Sequence, residues 1–310
     1  GVAAPVYRLA HGIRAGFADA VRLVLPAEQA ALLPALVLGD TSAVAAQTAK
    51  DFRTAGLTHL MAVSGANITI VCGAMLLSAA LVGPRIAVML AALTLAGFVV
   101  VVQPSASVLR AAVMGAITLL AVLTHRRRQA LPALAAAIIV LMIATPQLAV
   151  DVGFALSVSA TAGLIVVAPV WSQRLIRRGW PRPLADAVSV ALAAQLVTAP
   201  LVAGVSGSVS LVAVIANLIV APVIPPITLI GTAAAALCPL WPAGAQLLIR
   251  FTGPEVWWLA SVARWAAAVP VAALPVPSGL AGVALVATGS CIVAAVWHWG
   301  LSGRRDTIVR

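Results

Sequence analysis

Long apolar stretches dominate the chain from about residue 60 onward. Runs of about 17–25 apolar residues, the length of helix that crosses a bilayer, recur from Leu60 to Trp299. Because backbone groups in hydrocarbon must hydrogen-bond within the protein, these runs predict an all-α, polytopic membrane bundle of about eight or nine spans. The predicted spans are 60–82, 86–102, 105–124, 130–147, 152–171, 185–204 and 279–299, with two shorter pieces at 209–222 and 227–241.

The rest of the pattern is more polar. Residues 1–37 alternate polar and apolar side chains at helical spacing, which predicts an amphipathic helix on the membrane surface. Residues 38–58 are predicted to form a water-facing helix and loop, and the Trp-rich, charged stretch 244–269 an interfacial helix. We therefore expect a lead-in at 1–58, a transmembrane channel domain at 59–300 and a basic tail at 301–310.

Three prolines interrupt the apolar pattern between the two shorter pieces. Pro222, Pro225 and Pro226 lie in the run "APVIPP" and predict a break in the helix. Such a break within a membrane is tolerated only where the freed backbone groups are buried in protein or face water. A broken or re-entrant helix at a translocation site and a short surface loop are both open at this point.

The composition agrees with a membrane protein. Hydrophobic residues make up 63% of the chain and charged residues only 9%, too few to cover a globular surface. The net charge of +11 is concentrated in loops: Arg85, Arg126–Arg128 and Arg174–Arg182 each follow an odd-numbered predicted span. The positive-inside rule makes their common side cytoplasmic, which predicts a multi-pass protein of the bacterial cytoplasmic membrane. The three cysteines lack metal-ligand spacing, and we expect neither a metal nor a cofactor.

Polar side chains within the predicted spans are concentrated toward one side of the membrane. At about 1.5 Å of rise per residue, His59, Ser64, Asn67 and the polar groups of the third and fifth spans lie within roughly the outer 10–12 Å, and two further groups lie near the midplane. This arrangement predicts a polar vestibule that opens outward and narrows toward an apolar cytoplasmic half. The candidates lining it are Asp40, His59, Ser64, Gly65, Asn67, Arg110, Asp151, Ser157, Gln195 and Asn217.

Several of these positions have structural alternatives. Arg110 faces a ligand or is a tether to Asp151 or to backbone carbonyls, because a lone cation in a membrane is costly. Ser64-Gly65 lines the vestibule or allows close helix packing, as small residues do in membranes. Asn217 lines the path or bonds to a neighbouring helix.

Five blocks in order, covering about residues 36–226, resemble the ComEC family of competence channels, which import single-stranded DNA. Many members have a histidine after Ser-Gly-Leu, where this chain has Ala66-Asn67, and "AGVSG" lacks the family's aromatic-glycine pair. The resemblance places the family's polar positions on Asp40, His59, Ser64, Gly65, Arg110, Ser157, Gln195 and Asn217. The blocks are "LVLGDTS", "TAGLTHLMAVSGANI", "SASVLRAAVMGAI", "DVGFALSVSATAGLI" and "QLVTAPLVAGVSGSVSLVAVIANLIVAPVIPP".

The resemblance implies a transmembrane channel component that moves single-stranded DNA across the cytoplasmic membrane during natural transformation. It implies no catalysis by this segment, since the family's OB-like and metallo-β-lactamase-related domains are expected elsewhere in a longer protein. The expected partners are single-stranded DNA, the lipid bilayer, a DNA receptor and a cytoplasmic helicase or ATPase. Assembly into a homo-oligomer is left open.

Two other functions fit the sequence less well. An intramembrane serine hydrolase would pair Ser64 with His59, but five residues turn about 140° around a helix, so the two do not share a face. A small-solute transporter would need a richer midplane site than Gln195 and Asn217 provide.

Overall fold

The computed structural model describes residues 3–79, 83–102, 105–124 and 129–302, and almost all of them are helical. The predicted Arg126–Arg128 loop and the tail from 303 onward lie outside these ranges. The helices are α1 (Ala3–Val24), α2 (Ala27–Leu38), α3 (Ala46–Thr54), α4 (Gly65–Ala79), α5 (Pro84–Val101), α6 (Ala106–Leu123), α7 (Ala130–Ala144), α8 (Val152–Val166), α9 (Ala168–Arg177), α10 (Arg182–Ser206), α11 (Ala213–Val220), α12 (Ile224–Leu237), α13 (Pro242–Ala268) and α14 (Leu280–Ser302).

The all-α class is confirmed, with one small addition. Strands β1 (Ser208–Ser210) and β2 (Ala273–Pro275) pair antiparallel, with Val209 opposite Leu274. Short 3-10 turns occupy Thr58–Leu60, Pro146–Val150 and Ala221–Val223. The sequence pattern did not predict the strands, because three-residue pairings are too short to show alternation.

One large hydrophobic core joins helices α1–α6 with α11–α13, and we call these helices the inner group. Its largest fully buried side chains include Phe17, Phe52, Leu33, Ile249 and Leu259. Helix α2 is buried along most of its length against α1, α12 and α13. The stretch expected as a lead-in therefore packs into the same core as the apolar helices.

Helices α8, α9, α10 and α14 form the outer group, which lies beside the inner group. Their own core is small and centres on Ala168, Trp171 and Ala193. Helix α10 packs along α8, α9 and α14, and α7 lies between the groups, against α6 and α8. Small residues bring α10 and α14 together: a Cβ at Gly204 would lie 2.5 Å from Val283 Cγ2.

Hydrogen bonds at both ends set the direction of α14 relative to α10. Gly279 donates a backbone bond to Gly204 at the end of α10, and Arg178, just before α10, donates to the Gly300 carbonyl. The two helices are therefore antiparallel. The intervening segment leaves β1 as α11–α12, returns as α13 and rejoins at β2.

This course contradicts the flat interfacial helix predicted at 244–269. Four residues connect α12 to α13, and the two pack closely as an antiparallel hairpin. Helix α13 buries a face from Gly244 to Ala263 in the inner core. Its charges resemble an interfacial pattern, but Arg264 forms an exposed ion pair with Glu28 of α2.

The lengths of the apolar helices test the predicted spans in part. In the ranges that the structure describes, five shorter apolar helices of 10–17 residues accompany the long ones. The expected loop before the sixth span is also shorter than predicted, because Arg174 and Arg177 lie on α9. By length and composition, four helical stretches among the described residues can cross a membrane: Val152–Arg177, Arg182–Ser206, Ala213–Leu237 and Leu280–Gly300.

Candidate functional site

A buried arginine lies where α6 meets α8. Only 5% of Arg110 is exposed. Its Nε donates to Ser157 Oγ of α8 at 3.1 Å, and its Nη1 lies 3.4 Å from Met114 Sδ. Ser157 in turn donates to Ser107 Oγ at 3.0 Å. The guanidinium therefore holds the two helices together through neutral groups, and we call Gly65, Ser107, Arg110 and Ser157 the arginine cluster.

Arg110 has no acidic partner in the part of the chain that the structure describes. The ion pairs within 4.0 Å there are Arg22–Asp19, Arg182–Asp186 and Arg264–Glu28. The tether from Arg110 to Asp151, one alternative from the sequence, is not formed. Asp151 instead caps α8: its Oδ1 accepts from the Phe154 backbone N–H at 2.5 Å.

The Ser64-Gly65 pair places backbone against the guanidinium. A Cβ at Gly65 would lie 3.2 Å from Arg110 Nη2 and 3.1 Å from Ala111 Cβ, so the absence of a side chain permits this close approach. Gly65 is thus a close-packing position between α4 and α6, and it borders the charged group as well.

Ser64 and Asn67 form a neighbouring polar contact. Ser64 Oγ donates to Asn67 Oδ1 at 3.4 Å, and Asn67 Nδ2 donates to the Leu36 carbonyl at 3.2 Å. The cavity beside Asn67 measures only about 10 Å³, roughly the space of one water. No nucleotide fits at Asn67 in this conformation.

A second polar cluster surrounds Gly56, which the sequence reading did not select. Gly56 has φ +72°, and a Cβ there would lie 2.4 Å from Ala213 Cβ, so only glycine fits. Asn217 Nδ2 donates to the Gly56 carbonyl at 3.5 Å and to the Ala213 carbonyl at 2.8 Å. Gln195 Nε2 reaches the Ser210 carbonyl at 3.4 Å, next to this contact.

His59 belongs to the same neighbourhood. It lies on the 3-10 turn before α4 and is exposed. Desolvation by the surrounding protein lowers the pKa of His59 below its ordinary value, and a hydrogen bond with the Gly56 backbone opposes this effect.

Asp40 lies apart from these clusters, facing α1. It lines an open depression of about 270 Å³ together with His11, Arg14, Asp19 and Arg22. Hydrogen bonds from the Ser42 hydroxyl and backbone N–H, helped by Arg14 and Arg22, hold the pKa of Asp40 below its usual value. Asp40 therefore stays ionised and anchors the loop after α2.

The three prolines cause a smaller disturbance than the sequence suggested. Pro222 lies in the 3-10 turn Ala221–Val223, and Pro225 and Pro226 lie in the first turn of α12. Backbone angles stay helical through Val223 and Ile224. Proline is tolerated in a first helical turn because its missing N–H is not needed there, so α11 and α12 form one nearly continuous helical segment.

The structure thus divides the candidates instead of gathering them in one vestibule. Gly65, Arg110 and Ser157 meet; Gln195 and Asn217 surround Gly56; Asp40 and Asp151 serve separate contacts. The sequence could have indicated Gly56, because it is a glycine just before a turn. It could not have indicated the Leu36 carbonyl that accepts from Asn67, because a backbone group leaves no mark in the sequence. In the described residues, no group of three His, Cys, Asp or Glu side chains is placed to hold a metal.

These features define a helical membrane protein with a buried arginine between two of its helices. A family described as "Competence protein" matches residues 36–301, and the chain belongs to that family. The resemblance of its blocks to ComEC is thereby confirmed, and the family suggests a role in DNA uptake. No curated protein and no solved structure matches the chain.

Proposed function

We propose that the chain is the channel component through which single-stranded DNA crosses the cytoplasmic membrane. The observation that carries this proposal is the buried guanidinium of Arg110, which bonds to Ser157 and Met114 and lacks an acidic partner among the described residues. A buried charge without a counterion is costly, and such groups in membranes are by default functional. A backbone phosphate is the ligand that a single, fixed guanidinium suits best.

The surroundings of Arg110 support a path that is closed at rest. Gly65 brings main chain, without a side chain, to the guanidinium, so a shift of α4 against α6 would open space at the charge. The narrow cavity at Asn67 requires such a shift before a nucleotide can pass. The apolar half beyond then acts as a gate that excludes ions and water when empty.

The helix directions support a multi-pass arrangement of nine transverse segments within the described ranges. These are α4, α5, α6, α7, α8–α9, α10, α11–α12, α13 and α14. If the arginine-rich end of α9 is cytoplasmic, the antiparallel α14 also ends in the cytoplasm. The arginine cluster then belongs to the outer half, where DNA arrives.

This segment acts without catalysis in our proposal. Ser64 donates its hydrogen bond to Asn67 and sits at the start of α4, while His59 interacts with Gly56. A Ser64→Ala variant is expected to retain uptake. Loss of uptake in that variant, with normal protein levels, would revive the hydrolase alternative.

The experiment that tests the proposal compares Arg110→Gln with Arg85→Gln, which removes one exposed charge elsewhere. We expect Arg110→Gln to lower uptake of labelled DNA by about tenfold or more, and Arg85→Gln to leave it unchanged, at equal membrane levels. With purified protein, the slope of the logarithm of the oligonucleotide binding constant against the logarithm of the salt concentration is expected to be shallower by about 0.7 in Arg110→Gln. This is the contribution of the one lost phosphate contact.

The Arg110→Lys variant distinguishes the role of the positive charge from the role of the hydrogen bonds that hold α6 and α8 together. It keeps the cation but loses the Nε bond to Ser157, so partial uptake is expected. Unchanged uptake and an unchanged salt slope in Arg110→Gln would exclude Arg110 from the path. Equal flux of small solutes and oligonucleotides in reconstituted vesicles would favour the transporter alternative.

A further inference from the structure

Cations gather where α9 ends and α10 begins. Arg174, Arg177, Arg178 and Arg182 lie within nine residues, and Asp186 is the acidic residue nearest to them in sequence. Asp186 already accepts a bond from Ser172 and lies 3.8 Å from Arg182. The cluster therefore keeps a strong positive excess, and Arg177, Arg178 and Arg182 are exposed.

Two of these arginines fix the end of α14 beside them. Arg174 Nη1 lies 2.6 Å from His298 Nδ1, and Arg178 donates to the Gly300 carbonyl. One turn deeper, the rings of Trp171 and Trp297 meet edge to face at 6.4 Å. The cationic surface is thus built on two helices that are joined by polar bonds at the end and by packing below.

Apolar side chains flank the cations on the outside of the protein. Trp180 is 39% exposed and Trp299 is 76% exposed, and Ile176 and Leu184 are also exposed nearby. Exposed tryptophans beside arginines are typical of the level of lipid headgroups. A nucleic acid would form no favourable contact with the aliphatic side chains Ile176 and Leu184, whereas lipid acyl chains would cover them.

We propose that the paired ends of α9 and α14, with the turn that leads to α10, form a binding site for the phosphate headgroup of an acidic phospholipid. Arg177 and Arg182 bind the phosphate oxygens, because guanidinium groups form charge-assisted bonds with phosphate. Trp180 and Trp299 lie along the glycerol and upper acyl region. Basic surfaces between helices on the cytoplasmic side are suited to such lipids. This site is separate from Arg110, so it does not depend on the DNA path.

The test uses the full chain in detergent and measures retained lipid by native mass spectrometry. Phosphatidylglycerol, cardiolipin, phosphatidylcholine, inorganic phosphate and an oligothymidylate are added in separate arms. The variant Arg177→Gln/Arg182→Gln keeps the Arg174 and Arg178 bonds that position α14. The control Arg85→Gln/Arg250→Gln removes the same charge from exposed positions elsewhere.

We expect the wild type to retain the acidic lipids in preference to phosphatidylcholine. The Arg177→Gln/Arg182→Gln variant is expected to retain at least about tenfold less acidic lipid than the wild type. The control is expected to behave as the wild type. Equal loss in both variants, or no loss in either, overturns the site. Binding of inorganic phosphate as tight as that of lipid, or displacement of lipid by the oligothymidylate, overturns the assignment to phospholipid. Matching thermal unfolding of the two variants shows that any difference is local.

Discussion

The inner and outer groups bury their apolar side chains to different extents. In α14 only 6% of the most apolar 18 residues are buried and in α10 22%, against 28% in α11–α12 of the inner group, although all three are long enough to cross a membrane. Helix α13 carries Arg250, Glu255 and Arg264, yet its buried face runs from Gly244 to Ala263. Apolar side chains in the outer group are therefore largely exposed, as contact with lipid would require, whereas in the inner group more of them pack against other helices. Hydropathy alone does not separate these two environments.

The sharpest way to break this comparison is a matched pair of leucine truncations. Leu33 in α2 is fully buried, whereas Leu285 in α14 is 58% exposed. Leu33→Ala is expected to lower the free energy of unfolding by about 2–5 kcal/mol, because it leaves a cavity. Leu285→Ala is expected to change it by about 0.5 kcal/mol or less. Thermal or denaturant unfolding in detergent, followed by circular dichroism, measures both; equal losses would mean that α14 is packed as tightly as α2.

A charge on the outer group tests whether its exposed face meets lipid. Val293 lies in α14 and is 51% exposed. Val293→Arg is expected to disfavour membrane insertion by about 2.5–3.5 kcal/mol, and Val293→Leu to have no effect. A glycosylation reporter placed after α14 measures the inserted fraction. Full insertion of the arginine variant would show that this face contacts protein or water instead.

Two glycines give the smallest contrast. A methyl group at Gly65 meets Arg110 and Ala111, whereas nothing lies within 4 Å of one at Gly289 in α14. Gly65→Ala is expected to cost about 1–3 kcal/mol by overpacking. Gly289→Ala is expected to be neutral or stabilising by up to about 1 kcal/mol, since alanine favours helix. The same unfolding assay distinguishes them, and a neutral Gly65→Ala would show that α4 and α6 separate easily.

Much of the fold follows from the apolar pattern, because each long run must form a helix in lipid. The sequence placed α10 and α14 to within a few residues, since lipid exposure makes their boundaries sharp. It failed for α13, because tryptophans and charges occur both at membrane interfaces and on the exposed side of a helix that buries its other face in a core. Pairing of Arg264 with Glu28 spans 236 residues, and no local pattern reveals it.

The site divides in the same way. Asp151 as a helix cap was readable, because its carboxylate bonds to a backbone N–H three residues on. Arg110 was recognisable as unusual, since an arginine in an apolar run needs a reason. Its actual partner, Ser157, lies 47 residues away and depends on how α6 and α8 pack. Depth along each helix predicted that Arg110 and Ser157 lie at a similar depth in the membrane. It could not predict which of the polar groups at that depth would bond to Arg110.

The segment α11–α13, which lies between the paired strands β1 and β2, has a consequence for biosynthesis. Helices α11–α13 complete a core whose first members, α1 and α2, leave the ribosome more than 200 residues earlier, as the Glu28–Arg264 pair illustrates. Until α12 and α13 have been made, the surface of α2 that they bury has no partner, and of its three neighbours only α1 is present. We therefore expect the nascent chain to carry an unfinished core until α13 has been made, and the early helices to depend on protection by the insertion machinery until then.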